Sequence, residues 1–221
     1  MHGGLHIHRR RRGFTLVELL VVIGIIALLI SMLMPALASA RQKALMMQCL
    51  SNERQIGVSL MDYVNNWNGH FFPPGMGANA ADPPPATTNV WPCVVFGRSD
   101  PPIMMCPNDP DAGFLHSYIM NNHLSDHDIK YWSGVNALAG VTPDKIIVMG
   151  EKVTTEIDYY MDPGDFSRLT EPFRHGPVGS NYLFMDWHAE PMLPPIPGKT
   201  SFGAVDPWDL NDTTGAGTNQ N

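Results

Sequence analysis

An almost unbroken run of apolar residues near the N-terminus dominates the pattern of hydrophobic and polar positions. The run extends over 21 residues, from Phe14 to Met34, and Glu18 is the charged residue within it. At roughly 1.5 Å per residue a helix of this length measures about 31 Å, which matches the hydrocarbon core of a bilayer. Other apolar runs, such as Ile146–Met149, are far too short to cross a membrane. The pattern predicts one transmembrane helix over 14–35 and a water-exposed remainder.

The helical pattern continues beyond this span. Residues 36–66 contain no proline and are rich in Ala, Leu, Met, Gln, Arg and Lys, which favour helix. Apolar residues recur there at helical spacing on one face; they are Leu45, Cys49, Ile56, Leu60, Tyr63 and Trp67. We therefore predict a helix that extends to about Asn66 and bends near Pro35, where a backbone donor is lost.

The pattern after residue 67 predicts short strands separated by turns. Four segments are β-rich and bounded by Gly, Pro, Asn or Asp; they are Cys93–Phe96, Lys145–Met149, Thr154–Tyr160 and Asn181–Met185. Ala189–Leu193 is suited to return as the second strand of a hairpin with Asn181–Met185. We expect an α+β fold, in which the long N-terminal helix packs against a small, largely antiparallel sheet in a head over 67–205. Residues 206–221 are expected to form a flexible polar tail.

The distribution of charge suggests an orientation in the membrane. The chain has 14 Lys+Arg against 21 Asp+Glu, a formal net charge of −7, and four of the basic residues form the run Arg9–Arg12. So few basic residues argue against nucleic-acid binding. Four arginines precede the span, while Arg41 and Lys43 follow it, so the positive-inside rule places the N-terminus in the cytoplasm. Residues 36–221 would then lie on the side of the membrane opposite the cytoplasm.

Glu18 is the anomaly within the span. A carboxylate in hydrocarbon costs on the order of 3 kcal/mol, and such residues persist where they have a partner or lie near the interface. The span itself contains no basic side chain. Cleavage between Gly13 and Phe14 would create an α-amino group on Phe14, and that group could pair with Glu18 of the same or a neighbouring chain.

These residues form a recognisable pattern. The segment Arg12–Leu20 resembles the class III signal of type IV prepilins and type II secretion pseudopilins. The resemblance rests on a basic leader, glycine at the cut, phenylalanine next, glutamate four residues later, an apolar run and Pro35. It implies that prepilin peptidase removes residues 1–13 and methylates Phe14, and that Glu18 directs assembly with other pilin or pseudopilin subunits. Loss of the leader would change the formal net charge from −7 to −11, because it removes four arginines and no acidic residue.

A second resemblance involves the head and the helix that precedes it. Four segments are similar to motifs of pseudopilin-like families common in planctomycete-type bacteria, which carry a C-terminal His…Asp-Gly-His signature. These segments are Arg174–Gly176, Asn181–His188, Cys49–Gly57 and Cys106–Asp109. Trp187 stands where those families usually have glycine. Because glycine tolerates a positive φ in a tight turn and tryptophan does not, we expect the turn to be altered or widened.

The three cysteines predict one disulfide and one thiol in an oxidising compartment. Cys93 with Cys106 would close a short loop, and this pairing is preferred. The alternative, Cys49 with Cys106, would join the head to the helix.

Candidate chemistry in the head is sparse. His175, Asp186 and His188 offer two imidazoles and a carboxylate of the kind that bind transition metals. We nevertheless interpret Asp186 and His188 as residues of a hairpin turn, and predict no metal and no catalytic residue. The acidic loops Asn108–Asp111 and Asp162–Asp165 could hold Ca²⁺, although solvated turns are the preferred interpretation. Sequence motifs for a nucleophilic serine, a phosphate loop or a zinc protease do not occur.

The sequence therefore predicts a non-enzymatic structural subunit of a type IV pilus-like or type II secretion pseudopilus filament. Such a subunit would be a single-pass protein of the inner membrane with its head in the periplasm, acted on by the peptidase and the assembly machinery. The alternative is a membrane-tethered extracytoplasmic metal-binding protein or hydrolase that uses a pilin-like anchor, with His175, Asp186 and His188 as ligands.

Overall fold

The computed structural model describes residues 14–71, 90–98, 101–110, 116–124, 142–156, 158–161 and 166–193. The leader 1–13 and the tail 206–221 lie outside the described residues. The chain forms two compact units, one up to Arg41 and one from Gln42 onwards, and each is described by itself.

Helix α1 spans Leu16–Asn66 and contains Pro35 in its interior. In the unit up to Arg41, every described residue is exposed, and the large apolar side chains are between 46% and 80% accessible. One 18-residue window of α1 is long and apolar enough to cross a membrane. A continuous apolar surface of this kind is unfavourable in water, so it indicates burial in a bilayer or among neighbouring helices.

The unit from Gln42 onwards contains a five-stranded sheet. The strands are β1 (Tyr118–Asn121), β2 (Ile147–Glu151), β3 (Tyr160–Met161), β4 (Ser180–Phe184) and β5 (Ala189–Met192), in the order β3-β1-β2-β4-β5. All neighbouring pairs are antiparallel except β1 with β3, which is parallel. The predicted α+β class with a largely antiparallel sheet is thus confirmed, and the architecture is pilin-like.

Within this unit, the C-terminal part of α1 packs on the sheet. Its buried residues are Cys49, Leu50, Glu53, Ile56, Gly57, Leu60, Tyr63 and Val64. Gly57 allows close approach to β4, since a Cβ there would lie 2.9 Å from Leu183 Cδ1. The predicted apolar face is present, except that Trp67 is 55% exposed and stacks on Tyr63, with ring centroids 5.5 Å apart.

The opposite face of the sheet carries a second, smaller core. Ile119, Ile147, Tyr182 and Phe184 are buried there with Leu169 of the short helix α3 (Phe166–Leu169). All five residues of β2 and of β4 are buried, because both faces of the central strands are covered.

Two strand predictions are wrong. Residues 91–96 form helix α2 (Trp91–Phe96), with Pro92 in the first turn and Gly97 as a left-handed C-cap at φ 72°. Proline is favoured in the first turn of a helix and glycine just after its end. Here these two preferences outweigh the strand preference of the β-branched residues between them. The segment predicted as Thr154–Tyr160 has a turn at Thr154 and Thr155 and enters a strand at Tyr160. Strand β1 has no counterpart among the predicted strands.

Candidate functional site

Helix α1 begins with three reciprocal hydrogen bonds between Thr15 and Glu18. The Thr15 backbone N–H and its hydroxyl each donate to Glu18 Oε2 at 2.8 Å, and the Glu18 N–H donates to Thr15 Oγ1 at 3.3 Å. A threonine before the first helical residue and a glutamate three residues later form a capping box, which satisfies donors that a helix start leaves unpaired. The Thr-x-x-Glu spacing displays this role, which was not among the predictions made from the sequence.

The other residues of the processing signal are placed only in part. Phe14 precedes the capping box and is 75% exposed. Gly13 lies outside the described residues. Cleavage after Gly13, methylation of Phe14 and the part of Glu18 in assembly therefore stay predictions, as does the kink at Pro35.

Cys49 in α1 and Cys106 form the disulfide of the head, with their Cα atoms 5.0 Å apart. The predicted pairing of Cys93 with Cys106 is wrong, and Cys93 in α2 takes no part in a disulfide. The segment carrying Cys106 is held against α1, since Asn52 Nδ2 donates to the Met105 carbonyl at 3.1 Å. This tertiary contact places the Cys106 sulfur beside that of Cys49, although a bond to Cys93 would close a shorter loop.

Beside the disulfide lies a buried cluster of polar side chains. His175 Nε2 is 2.8 Å from Glu151 Oε1, and the Asn181 backbone N–H donates to Glu151 Oε2 at 2.9 Å. Asn181 Nδ2 is 3.1 Å from His175 Nε2. Cys106 Sγ is 4.0 Å from the same nitrogen. These side chains are at most 2% exposed, so the interactions occur in a low-dielectric environment where they are strong.

The backbone conformation of a short turn places His175 in this cluster. The turn precedes β4, and the His175 N–H donates to the Gly179 carbonyl at 3.0 Å. Gly179 has φ 94°, and a Cβ there would lie 1.7 Å from the Met192 carbonyl oxygen. Only glycine fits such a position, so this residue fixes the turn against β5.

Glu53 of α1 lies in the same core with its carboxylate fully buried. Neither oxygen has a hydrogen-bond partner within the described part of the chain. Burial raises the pKa of Glu53 well above its usual value, and the nearby charge of Glu151 raises it further. Glu53 lies within the Cys49–Gly57 motif, but that resemblance implied no role for it, and Glu151 stands in no spacing that indicates a site.

The predicted ligands His175, Asp186 and His188 are not brought together as one set. His175 belongs to the buried cluster, whereas Asp186 and His188 bond each other and are 40% and 38% exposed. The His188 ring also stacks on Phe184, with centroids 4.4 Å apart. Asp186 and His188 thus lie at the β4–β5 turn, as the hairpin interpretation predicted.

Trp187 completes that turn with φ 69°. Leu183 pairs with Ala189, and the Phe184 N–H donates to the His188 carbonyl at 2.9 Å, so the turn has three residues. The expectation that tryptophan would avoid a positive φ is wrong. The side chain is half-buried against the core, with its ring 5.9 Å from that of Phe71, and this packing offsets the strain.

A second buried polar group joins Arg174 and Asp109. Arg174 Nη1 lies 3.0 Å from Asp109 Oδ1, and Thr154 Oγ1 donates to the same oxygen at 2.7 Å. Arg174 Nη2 also donates to the carbonyl of Lys152, a buried residue whose pKa is lowered to about 8 by burial. Asp109 is therefore paired within the core. Asp111 and Asp162–Asp165 of the two acidic loops lie outside the described residues, so calcium binding by these loops stays untested.

Comparison with known proteins bears on the N-terminal segment. Residues 8–34 match the family model of the prokaryotic N-terminal methylation motif. No curated protein and no solved structure shows a significant match to the chain. The chain thus carries a type IV prepilin-like signal, which indicates a pilin- or pseudopilin-type substrate of a prepilin peptidase. The resemblance of the head to planctomycete-type families stays an expectation.

Proposed function

We propose that the chain is a non-enzymatic structural subunit of a type IV pilus-like or type II secretion pseudopilus filament. The observation that carries this proposal is the methylation motif over 8–34, which coincides with the start of a long, exposed, apolar helix. Prepilin peptidase would cut after Gly13 and methylate the amino group of Phe14. Residues 14–35 would then hold the subunit in the inner membrane, with the head in the periplasm.

Assembly would bury the apolar surface of α1 among neighbouring helices. Both contacts from Thr15 use Glu18 Oε2, so the second carboxylate oxygen, Oε1, is available to accept from the Phe14 amine of a neighbouring subunit. Such a contact would offset the cost of both charges in an apolar environment. It would also set the register of one subunit against the next.

The disulfide supports the proposed orientation. Disulfides form and persist in oxidising compartments and are rare in the cytoplasm. Cys49 and Cys106 both lie beyond the span, so their bond is the form expected of a head in the periplasm.

The sequence alternative of a tethered metal-binding protein or hydrolase is not proposed. Its ligand set required His175 together with Asp186 and His188. Instead, the structure pairs His175 with Glu151 and pairs Asp186 with His188.

Mass spectrometry of the N-terminal peptide, taken from native membranes, tests the proposal. We expect a start at Phe14 with about 14 Da of added mass from one methyl group. Gly13→Val should leave the leader attached, while the matched control Gly24→Ala, where an added Cβ meets nothing within 4 Å, should be processed normally. Ala36, Ala38 and Ala40 follow the apolar run and imitate the small-x-small site of an ordinary secretory signal. An uncut leader in the wild type, or a cut after Ala38, would overturn the proposal.

A further inference from the structure

Four potential metal ligands converge inside the head. The ligand atoms of Cys49, Cys106, Glu151 and His175 all lie within 4.8 Å of one another, and all four side chains are buried. They come from four separate places, namely α1, the segment before β1, the end of β2 and the turn before β4. In the oxidised chain the two sulfur atoms are bonded to each other.

The polar atoms of this cluster lie around His175 Nε2. Asn181 Nδ2 lies 3.4 Å from the Met46 carbonyl, to which it donates, and 3.1 Å from His175 Nε2. Nε2 also lies 2.8 Å from Glu151 Oε1, so in the oxidised chain a proton on Nε2 would serve this contact. A metal ion that replaced this proton would bind the imidazole nitrogen and the carboxylate oxygen together.

The carboxylate is also oriented in the manner of a metal ligand. The Asn181 backbone N–H holds Glu151 Oε2 at 2.9 Å, which leaves Oε1 directed at His175. Hydrogen bonds that fix the free oxygen of a carboxylate are typical of the groups that support a metal site. Asn181 thus positions both the imidazole and the carboxylate.

We propose that reduction of the Cys49–Cys106 disulfide converts this cluster into a four-ligand Zn²⁺ site made of Cys49, Cys106, Glu151 and His175. Two thiolates, an imidazole and a carboxylate suit zinc in tetrahedral geometry, and the thiolates disfavour Mg²⁺ and Ca²⁺. A dithiol reductant supplies two electrons and two protons to break the S–S bond. Zn²⁺ then displaces the two thiol protons to solvent.

The disulfide and the metal site exclude each other, because the same two sulfur atoms serve both. Either state joins α1 to the segment before β1 at the same place. The head would therefore keep this cross-link under both oxidising and reducing conditions. Cys93 lies in α2 and is not part of the cluster, so it provides a matched cysteine control.

Metal content of the full chain in detergent micelles tests this inference. After reduction under anaerobic conditions, incubation with Zn²⁺ and removal of the excess, native mass spectrometry should show one Zn²⁺ per reduced chain and none per oxidised chain. Cys93→Ser and His188→Gln should keep the ion, whereas Cys106→Ser and His175→Gln should lose it. With Co²⁺ instead of Zn²⁺, the reduced wild type should show sulfur-to-cobalt charge-transfer absorption.

A second measurement covers the case in which the variants do not fold. Zn²⁺ should raise the unfolding midpoint of the reduced wild type by roughly 5–10 °C and leave that of the oxidised chain unchanged. Absence of retained Zn²⁺ in the reduced wild type would overturn the inference. Equal zinc content in His175→Gln and His188→Gln, or in reduced and oxidised chains, would also overturn it.

Discussion

Thr15 and Glu18 form hydrogen bonds across the first turn of α1, so the glutamate within the apolar run has a structural partner in its own chain. Its Oε2 accepts from both the backbone N–H and the hydroxyl of Thr15 at 2.8 Å. If the helix spans a membrane as proposed, these bonds offset part of the cost of placing the carboxylate there before any neighbouring subunit arrives. The capping role and the proposed assembly role of Glu18 can be separated by mutation.

Thr15→Ala should loosen the start of α1 without abolishing assembly. The change removes the hydroxyl that accepts from the Glu18 N–H, and loss of such a cap costs about 0.5–2 kcal/mol. Amide hydrogen exchange in micelles should become faster over the first turn, while Thr15→Ser should behave as wild type. Glu18→Ala should speed this exchange as well and, unlike Thr15→Ala, should strongly lower incorporation into filaments. If Thr15→Ala lowered incorporation as strongly as Glu18→Ala, the proposed second role of Glu18 would be wrong.

Loss of the Cys49–Cys106 disulfide should destabilise the head. The bond joins residues 57 positions apart, and native disulfides contribute about 2–5 kcal/mol. Cys49→Ser and Cys106→Ser should lower the free energy of unfolding in denaturant by this amount, and Cys93→Ser should have a much smaller effect. A peptide map without reductant that shows Cys93 joined to Cys106 would contradict the structure.

Glu53 should make the stability of the head dependent on pH. Its pKa is raised in the folded chain, so its favourable contribution is present below its usual value of 4.5 and is lost as pH rises. Glu53→Gln should therefore match the wild type near pH 4 and exceed its free energy of unfolding at pH 8 by about 1–3 kcal/mol. Glu190→Gln, at an exposed position, is the control. Parallel pH profiles for wild type and Glu53→Gln would refute the assignment.

The positive φ of Trp187 should be visible in a pair of variants. Both Trp187→Ala and Trp187→Gly remove the indole and its packing against Phe71, but only glycine relieves the left-handed backbone. The glycine variant should be more stable than the alanine variant by about 1 kcal/mol in thermal unfolding. At the exposed turn residue Thr155 the same pair should show no advantage for glycine. An advantage for alanine at position 187 would mean that the turn has another conformation.

Local sequence patterns determined much of this protein. The basic leader, the Gly13–Phe14 junction and the apolar run define the signal matched over 8–34. The spacing of apolar residues indicated which face of α1 is buried, and the segments around Asn181 and Ala189 indicated the β4–β5 hairpin. Each of these features depends on residues close together in the chain, so the sequence displays them directly.

Other features were decided only by tertiary structure. Cys106 bonds Cys49 because packing of α1 against the head brings together residues 57 positions apart, whereas sequence separation alone favoured Cys93. Glu151 of a strand and His175 of a turn meet for the same reason, and Glu53 of a helix lies close enough for the charge of Glu151 to raise its pKa. The periodicity of apolar residues shows which side chains are buried. The partners of these side chains in the core depend on how elements distant in sequence pack together.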